Sequence, residues 1–164
     1  MRLAVFLLST LLLAACGSDK PPARLNIGDP APGFQTLRAD GTPALFPEAW
    51  AGKPLVIRFW ADWCKYCEGE MKDIEAAYQR LKPRGLDVVA VNAGQDRKTV
   101  VDFMQKLGVG YPALMDENST IARRYGVVGL PTTYFVDAKG IVRAKLVGEA
   151  DAAAFERAAL EILK

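Results

Sequence analysis

Residues 55–81 join an apolar run to an amphipathic helix through two cysteines, and no other stretch of the chain limits the fold as strongly. Leu55-Val56-Ile57-Arg58-Phe59-Trp60 is β-branched and aromatic, and suits a central strand buried on both faces. Beyond it Cys67, Met71, Ile74, Tyr78 and Leu81 recur at alternating spacings of four and three, a helical stripe that Lys82-Pro83-Arg84-Gly85 ends. Cys64 and Cys67 sit at the joint. The first N–H groups of a helix are unpaired and its dipole is positive there, so a thiol at that point is made more acidic. Cys67 heads the buried stripe and Cys64, one turn earlier, lies at the helix mouth. This divides the labour: Cys64 attacks and Cys67 resolves. A bare C-x-x-C also fits half a zinc site or an inert pair.

Composition removes several of those options. The sequence has 164 residues, enough for one ordinary domain, and contains no histidine and three cysteines. Cys-His and Ser-His nucleophile pairs, mixed Cys/His zinc sites and a Cys₄ metal site within one chain are therefore all excluded. Glu68 follows Cys67, so covalent haem attachment through C-x-x-C-H is excluded as well. The net charge of +2 is spread along the chain and offers no basic footprint for nucleic acid.

The first fifteen residues have the pattern of a signal peptide. Arg2 gives the positive start, and Leu3 to Ala15 form an apolar core broken only by Ser9 and Thr10, too short to span a bilayer. Leu13-Ala14-Ala15-Cys16 resembles the bacterial lipobox, which implies cleavage before Cys16 and lipidation of that cysteine. Residues 16–24 then form a lipidated tether, of which the eight from Gly17 to Arg24 reach about 26 Å when extended. With Cys16 acylated, Cys64 and Cys67 remain as the only pair of thiols. Ordinary cleavage after Ala15 is the competing outcome.

Residues 25–164 form the domain. Asp40-Gly41 is a turn signal between Phe34-Gln35-Thr36-Leu37 and Ala44-Leu45-Phe46, which predicts an N-terminal β-hairpin. A strand over 86–91, a helix over 98–107, a short strand over 111–115 and a short helix over 118–125 follow. Thr132 to Val136 and Ile141 to Leu146 flank the turn Asp137-Ala138-Lys139-Gly140 and read as an antiparallel hairpin. Residues 150–163 make a terminal helix with Phe155, Ala158, Ala159 and Ile162 on one side. Strands alternating with helices predict an α/β fold.

Phe59-Trp60-Ala61-Asp62-Trp63-Cys64-x-x-Cys67 resembles the active-site segment of the thioredoxin superfamily. Gly126-Val127-Val128-Gly129-Leu130-Pro131-Thr132-Thr133 resembles its second landmark, a proline with a cis bond ahead of a strand. Gly28-Asp29-Pro30-Ala31-Pro32 and the hairpin are similar to the membrane-anchored TlpA/ResA-type disulfide reductases. The resemblance spans roughly Ile27 to the C-terminus. It implies a thioredoxin-like fold, a central mixed β-sheet flanked by helices with the hairpin as an N-terminal extension. It also places Pro131 opposite the cysteines, with a cis Leu130–Pro131 bond that turns backbone groups toward a bound substrate strand.

The chain departs from that pattern at position 58. Thioredoxins carry a buried aspartate there, whereas Arg58 cannot accept a proton. The TlpA/ResA-type proteins have instead a glutamate three residues after the second cysteine, and Glu70 matches it. Glu70 is either a carboxylate that tunes and deprotonates the thiols or a solvated helix residue, as Glu68 and Glu75 are expected to be. Lys65 and Tyr66 lie between the cysteines. Lys65 favours a thiolate by its charge or is a solvated flank. Trp63 and Tyr66 are expected to form an apolar rim that receives a partner's disulfide, with shelf packing around the helix start as the alternative.

The resemblance implies a thiol–disulfide oxidoreductase outside the cytosol, anchored by lipid at the bacterial cell envelope and facing the periplasm or cell exterior. It most simply reduces partner disulfides through the Cys64–Cys67 dithiol, without a cofactor or metal, and is itself reduced again by a membrane electron donor. Clients are protein thiols and disulfides, apocytochrome c among them and other periplasmic or cell-surface proteins equally open. Oxidase or isomerase action, a Cu(I)-handling module and a non-catalytic binding module remain as alternatives. A peroxidase of the related peroxiredoxin type would have threonine three residues before its reactive cysteine, where this chain has Ala61.

Overall fold

A computed structural model describes residues 25–164. The signal segment, Cys16 and the tether lie outside the described residues. Strands β1 (Phe34–Leu37) and β2 (Pro43–Phe46) form an antiparallel hairpin. The rest follows as β3 (Leu55–Trp60), α1 (Cys67–Leu81), β4 (Asp87–Ala93), α2 (Arg97–Leu107), β5 (Ala113–Asp116), α3 (Thr120–Arg124), β6 (Thr132–Val136), β7 (Val142–Val147) and α4 (Ala152–Ile162). The second sheet has the order β5-β4-β3-β6-β7. Its β3, β4 and β5 run parallel, while β6 and β7 are antiparallel to their neighbours. This is the mixed sheet with an N-terminal hairpin that the resemblance implies.

The two-residue period of β3 sorts its side chains onto two cores. Val56 and Trp60 face α1, α2 and α4, where Met71, Ile74, Phe103 and Phe155 pack, and Trp60 stacks on Phe103 with centroids 4.7 Å apart. Leu55, Ile57 and Phe59 face the opposite core with Phe34, Phe46, Trp50, Ile121 and Tyr125. The hairpin therefore covers a sheet face as well as extending the chain. It is tied to β5 where the Ala39 N–H donates to the Ala113 carbonyl at 2.9 Å and the Thr36 hydroxyl donates to the Met115 carbonyl.

Several boundaries shift from the sequence expectation for identifiable reasons. β4 runs on to Ala93 because Asn92 pairs with Trp60 in the ladder and is fully buried. α2 begins at Arg97 because the Asp96 carboxylate caps the Thr99 N–H at 3.0 Å. α4 begins at Ala152, not 150. The Asp151 carboxylate caps the Ala154 N–H, and the Ala150 N–H is bonded to the Glu70 carboxylate at 2.9 Å. β5 starts at Ala113, two residues late, with Tyr111 turned into the core, where its hydroxyl donates to the Met71 carbonyl. Leu130–Pro131 is cis, and so is Phe46–Pro47, which the sequence reading did not anticipate.

Candidate functional site

β3 is the middle strand of its sheet and delivers the chain to the C-terminal edge, where α1 begins. The intervening turn is closed by backbone bonds, Cys64 N–H to the Ala61 carbonyl at 3.2 Å and Cys67 N–H to the Cys64 carbonyl at 3.0 Å. Cys64 and Cys67 are joined as a disulfide with their Cα atoms 5.4 Å apart. Cys67 is the first residue of α1 and is fully buried, whereas Cys64 is 6% exposed. Both cysteines are buried, and the slightly more accessible one is the one ahead of the helix. α1 has no side-chain cap at its N-terminus, and this pair of sulfurs lies at the positive end of its dipole.

A second segment comes to the same edge through the β3–β6 ladder. Phe59 pairs with Thr132, so the cis Leu130–Pro131 unit reaches the end of β3 from which the cysteine turn departs. Leu130 is half-buried and packs against the core that contains both cysteines, and Pro131 is buried. The Thr132 hydroxyl donates to the Gly129 carbonyl at 2.7 Å and holds the loop ahead of the strand.

Several exposed apolar side chains lie around this edge. Trp63 is 69% exposed and Tyr66 is 42% exposed. Val128 is 85% exposed on the loop before Pro131, and Val147, opposite Thr132 in the β6–β7 ladder, is 57% exposed. Lys65 is exposed, and its ammonium lies over the Tyr66 ring at 5.2 Å. A groove of about 590 Å³ runs beside the turn between Lys65, Tyr66, Glu70 and the Glu149–Ala152 segment.

Glu70 is not a solvated helix residue. Its side chain is only 11% exposed and forms an ion pair with Arg58, which is 2% exposed. Its second oxygen accepts from the Ala150 N–H, so one carboxylate joins α1, β3 and the approach to α4. Arg58 also donates to the Thr133 hydroxyl at 2.9 Å, its partner in the ladder. Burial pulls the Arg58 guanidinium down from its ordinary value, and the Glu70 carboxylate opposes that pull. By contrast, Glu68 is partly exposed and pairs with Lys72 and Lys106.

Sequence reasoning missed the strut behind the turn. Gln95, in the loop after β4, accepts from the Asp62 N–H at 2.9 Å and donates back to the Asp62 carboxylate. The buried Asn92 amide donates to the same Gln95 oxygen at 2.9 Å. Two amides at and just beyond the end of an apolar strand, Asn92 and Gln95, were the only signal available. A separate cleft of about 400 Å³ between β1, β5 and α3 has no residue of the cysteine turn in its lining.

The model of the AhpC/TSA family matches residues 27–145. The chain belongs to the AhpC/TSA family. It is 30% identical to the thiol-disulfide oxidoreductase ResA of Geobacillus thermodenitrificans (strain NG80-2), over 90% of this chain and 86% of that protein. It is 31% identical to the ResA of Bacillus anthracis over 77% of this chain and 72% of the relative. Among solved structures, a thiol:disulfide interchange protein of the thioredoxin family from Chlorobium tepidum TLS superposes with a TM-score of 0.74. It is 28% identical, and the match covers 84% of this chain and 97% of that one. The fold is thioredoxin-like.

Proposed function

We infer that the chain is a thiol–disulfide oxidoreductase that acts on partner proteins outside the cytosol, chiefly by reducing their disulfides. The observation that carries this is the placement of the Cys64–Cys67 disulfide at the uncapped start of α1, with the slightly more accessible cysteine preceding the helix and the fully buried one heading it. The names of the ResA relatives support the same chemistry.

In the reduced form the Cys64 thiolate attacks one sulfur of a partner disulfide. The new Cys64–partner bond forms as the partner's S–S bond breaks, and one partner thiolate leaves. Cys67, as its thiolate, then attacks the Cys64 sulfur. The mixed disulfide breaks, the second partner thiolate leaves, and the Cys64–Cys67 bond closes. Two electrons pass to the partner, and two protons balance its new thiols. The N–H groups and dipole of α1 favour thiolate at both steps. Trp63, Tyr66, Leu130 and Pro131 receive the partner segment, and Lys65 adds positive charge at the turn. Glu70 acts on the thiols from one turn further along the helix. No cofactor enters the cycle. A membrane electron donor reduces the spent disulfide, and lipidation at Cys16 holds the domain near that donor, at the cell envelope. Apocytochrome c thiols belong among the clients that fit this chemistry. Ala61 supplies no hydroxyl ahead of Cys64, which disfavours peroxidase action.

Trapping tests the assignment. Cys67→Ser leaves Cys64 to capture partners as stable mixed disulfides, and a dithiol should release them. Capture that persists when Cys64 is also replaced by serine contradicts it.

A further inference from the structure

Arg58 occupies the centre of β3 on the face that also carries Val56 and Trp60, directed at α1. A cation that is 2% exposed requires a counterion and acceptors. Glu70 and Thr133 satisfy its two terminal nitrogens, while its Nε–H is buried with no acceptor among the described residues. Glu70 follows Cys67 by three positions on α1, a spacing that brings the Cβ atoms of successive turns to about 5–6 Å. Cys67 is itself fully buried. A resolving sulfur, a carboxylate and a guanidinium therefore share one water-poor region, where charges act on one another far more strongly than at the surface.

We propose that Arg58 is a positioning residue for thiol exchange: it holds Glu70 in place and offsets the negative charge that Glu70 brings beside the reduced thiols. This rests on Cys64–Cys67 serving as the exchange dithiol. Glu70 alone opposes thiolate formation by like-charge repulsion, and Arg58 alone promotes it. The pair together leaves the helix terminus to set the acidity of the thiols. Position 58 thus does different work from a proton-accepting aspartate: it is a fixed charge that never exchanges a proton with the thiols.

The other charged and titratable groups at this edge are poorly placed to do the same. Asp62, Lys65 and Tyr66 on the turn are exposed, as are Asp73 on α1 and Glu149 and Asp151 ahead of α4. Glu68 is partly exposed and held by two lysines. Tyr111, which interacts electrostatically with Arg58, donates its phenol proton to the Met71 carbonyl, and burial keeps that phenol neutral well above its ordinary range.

The test is titration of the reduced full chain by ultraviolet thiolate absorbance. Arg58→Met should weaken the acid dissociation of the first thiol about tenfold, and Glu70→Gln should strengthen it by a similar factor. The double variant should return to within about threefold of the parent, and Arg58→Lys, which keeps the charge, should do likewise. A merely structural ion pair predicts a different pattern, since each single variant loses the same contact and both would shift in one direction. Shifts of equal sign, or none in either single variant, overturn the proposal. Should Arg58→Met fail to fold, Glu70→Gln, Arg58→Lys and the double variant, which strands no buried charge, still decide it. Reduction of the parent disulfide by a dithiol is read in the same samples. A parent disulfide that resists all dithiols overturns the oxidoreductase assignment, whereas a reducible parent with unshifted variants overturns only the role of Arg58.

Discussion

Gln95 and Asp62 hold each other by two hydrogen bonds across the gap between the β4–α2 loop and the cysteine turn, one through the Asp62 backbone and one through its carboxylate. The turn that carries the disulfide is thus braced from the β4–α2 loop and does not depend on α1 alone. Gln95→Ala removes both bonds and also strands the buried Asn92 amide. The expected loss of stability is about 1–2 kcal/mol. Urea unfolding of the oxidised and reduced forms should show the larger loss in the reduced form, where no disulfide holds the turn.

Asp116 closes the other side of the sheet. Its carboxylate accepts from the Ile121 N–H at 3.0 Å and the Ala122 N–H at 2.8 Å, which starts α3 at the end of β5. Both bonds are buried and charge-assisted. Asp116→Ala should lower stability by about 2–3 kcal/mol. Denaturant midpoints check this, and because α3 faces the core away from the cysteines, thiol reactivity should be unchanged.

High pH should unfold the chain earlier than surface tyrosines would. Burial pushes the Tyr134 phenol up to about 12, and it raises the phenols of Tyr125 and Tyr111 as well. The folded state therefore keeps protons that the unfolded state releases above about pH 10. Stability from these groups is complete below that pH and is lost as pH rises through the folded values. Tyr134→Phe should flatten part of this alkaline decline, read by thermal melts at stepped pH. It also strands the Tyr125 carbonyl, so its stability at neutral pH should fall by about 1 kcal/mol.

Acid should act on the β6–β7 turn. Burial would raise the Asp137 carboxyl, but the Ile141 N–H, the Arg143 guanidinium and the Lys139 N–H outweigh it and hold the group below its ordinary value of 3.8. The sign is that of a depressed carboxylate: its contribution is present above that value and is lost as pH falls through the lower folded one. Asp137→Asn should be less stable at neutral pH and show a shallower loss below about pH 4, read by acid titration of the circular dichroism signal.

Much of the fold was legible because its signals are local. The apolar run over β3 and the four-and-three stripe over α1 have few alternatives, and both match the sequence expectation to the residue. The ends of β4 and α4 were not legible, because they depend on partners remote in sequence: Trp60 beside Asn92, and Glu70 on the Ala150 N–H. The site divides in the same way. Cys64 and Cys67 announce themselves by spacing and position. Whether Glu70 faces solvent or Arg58 is decided by the approach of α1 to β3, which no window of sequence contains. Gln95 is invisible for the same reason, since its partner Asp62 lies 33 residues away.

The most direct measurement of the central claim is redox equilibration of the chain against a graded dithiol series, followed by alkylation and mass analysis of each cysteine. The account predicts a reversible two-electron transition in which reduced Cys64 is alkylated well before Cys67. A disulfide that stays closed across the series, or labelling in which Cys67 leads, would contradict it.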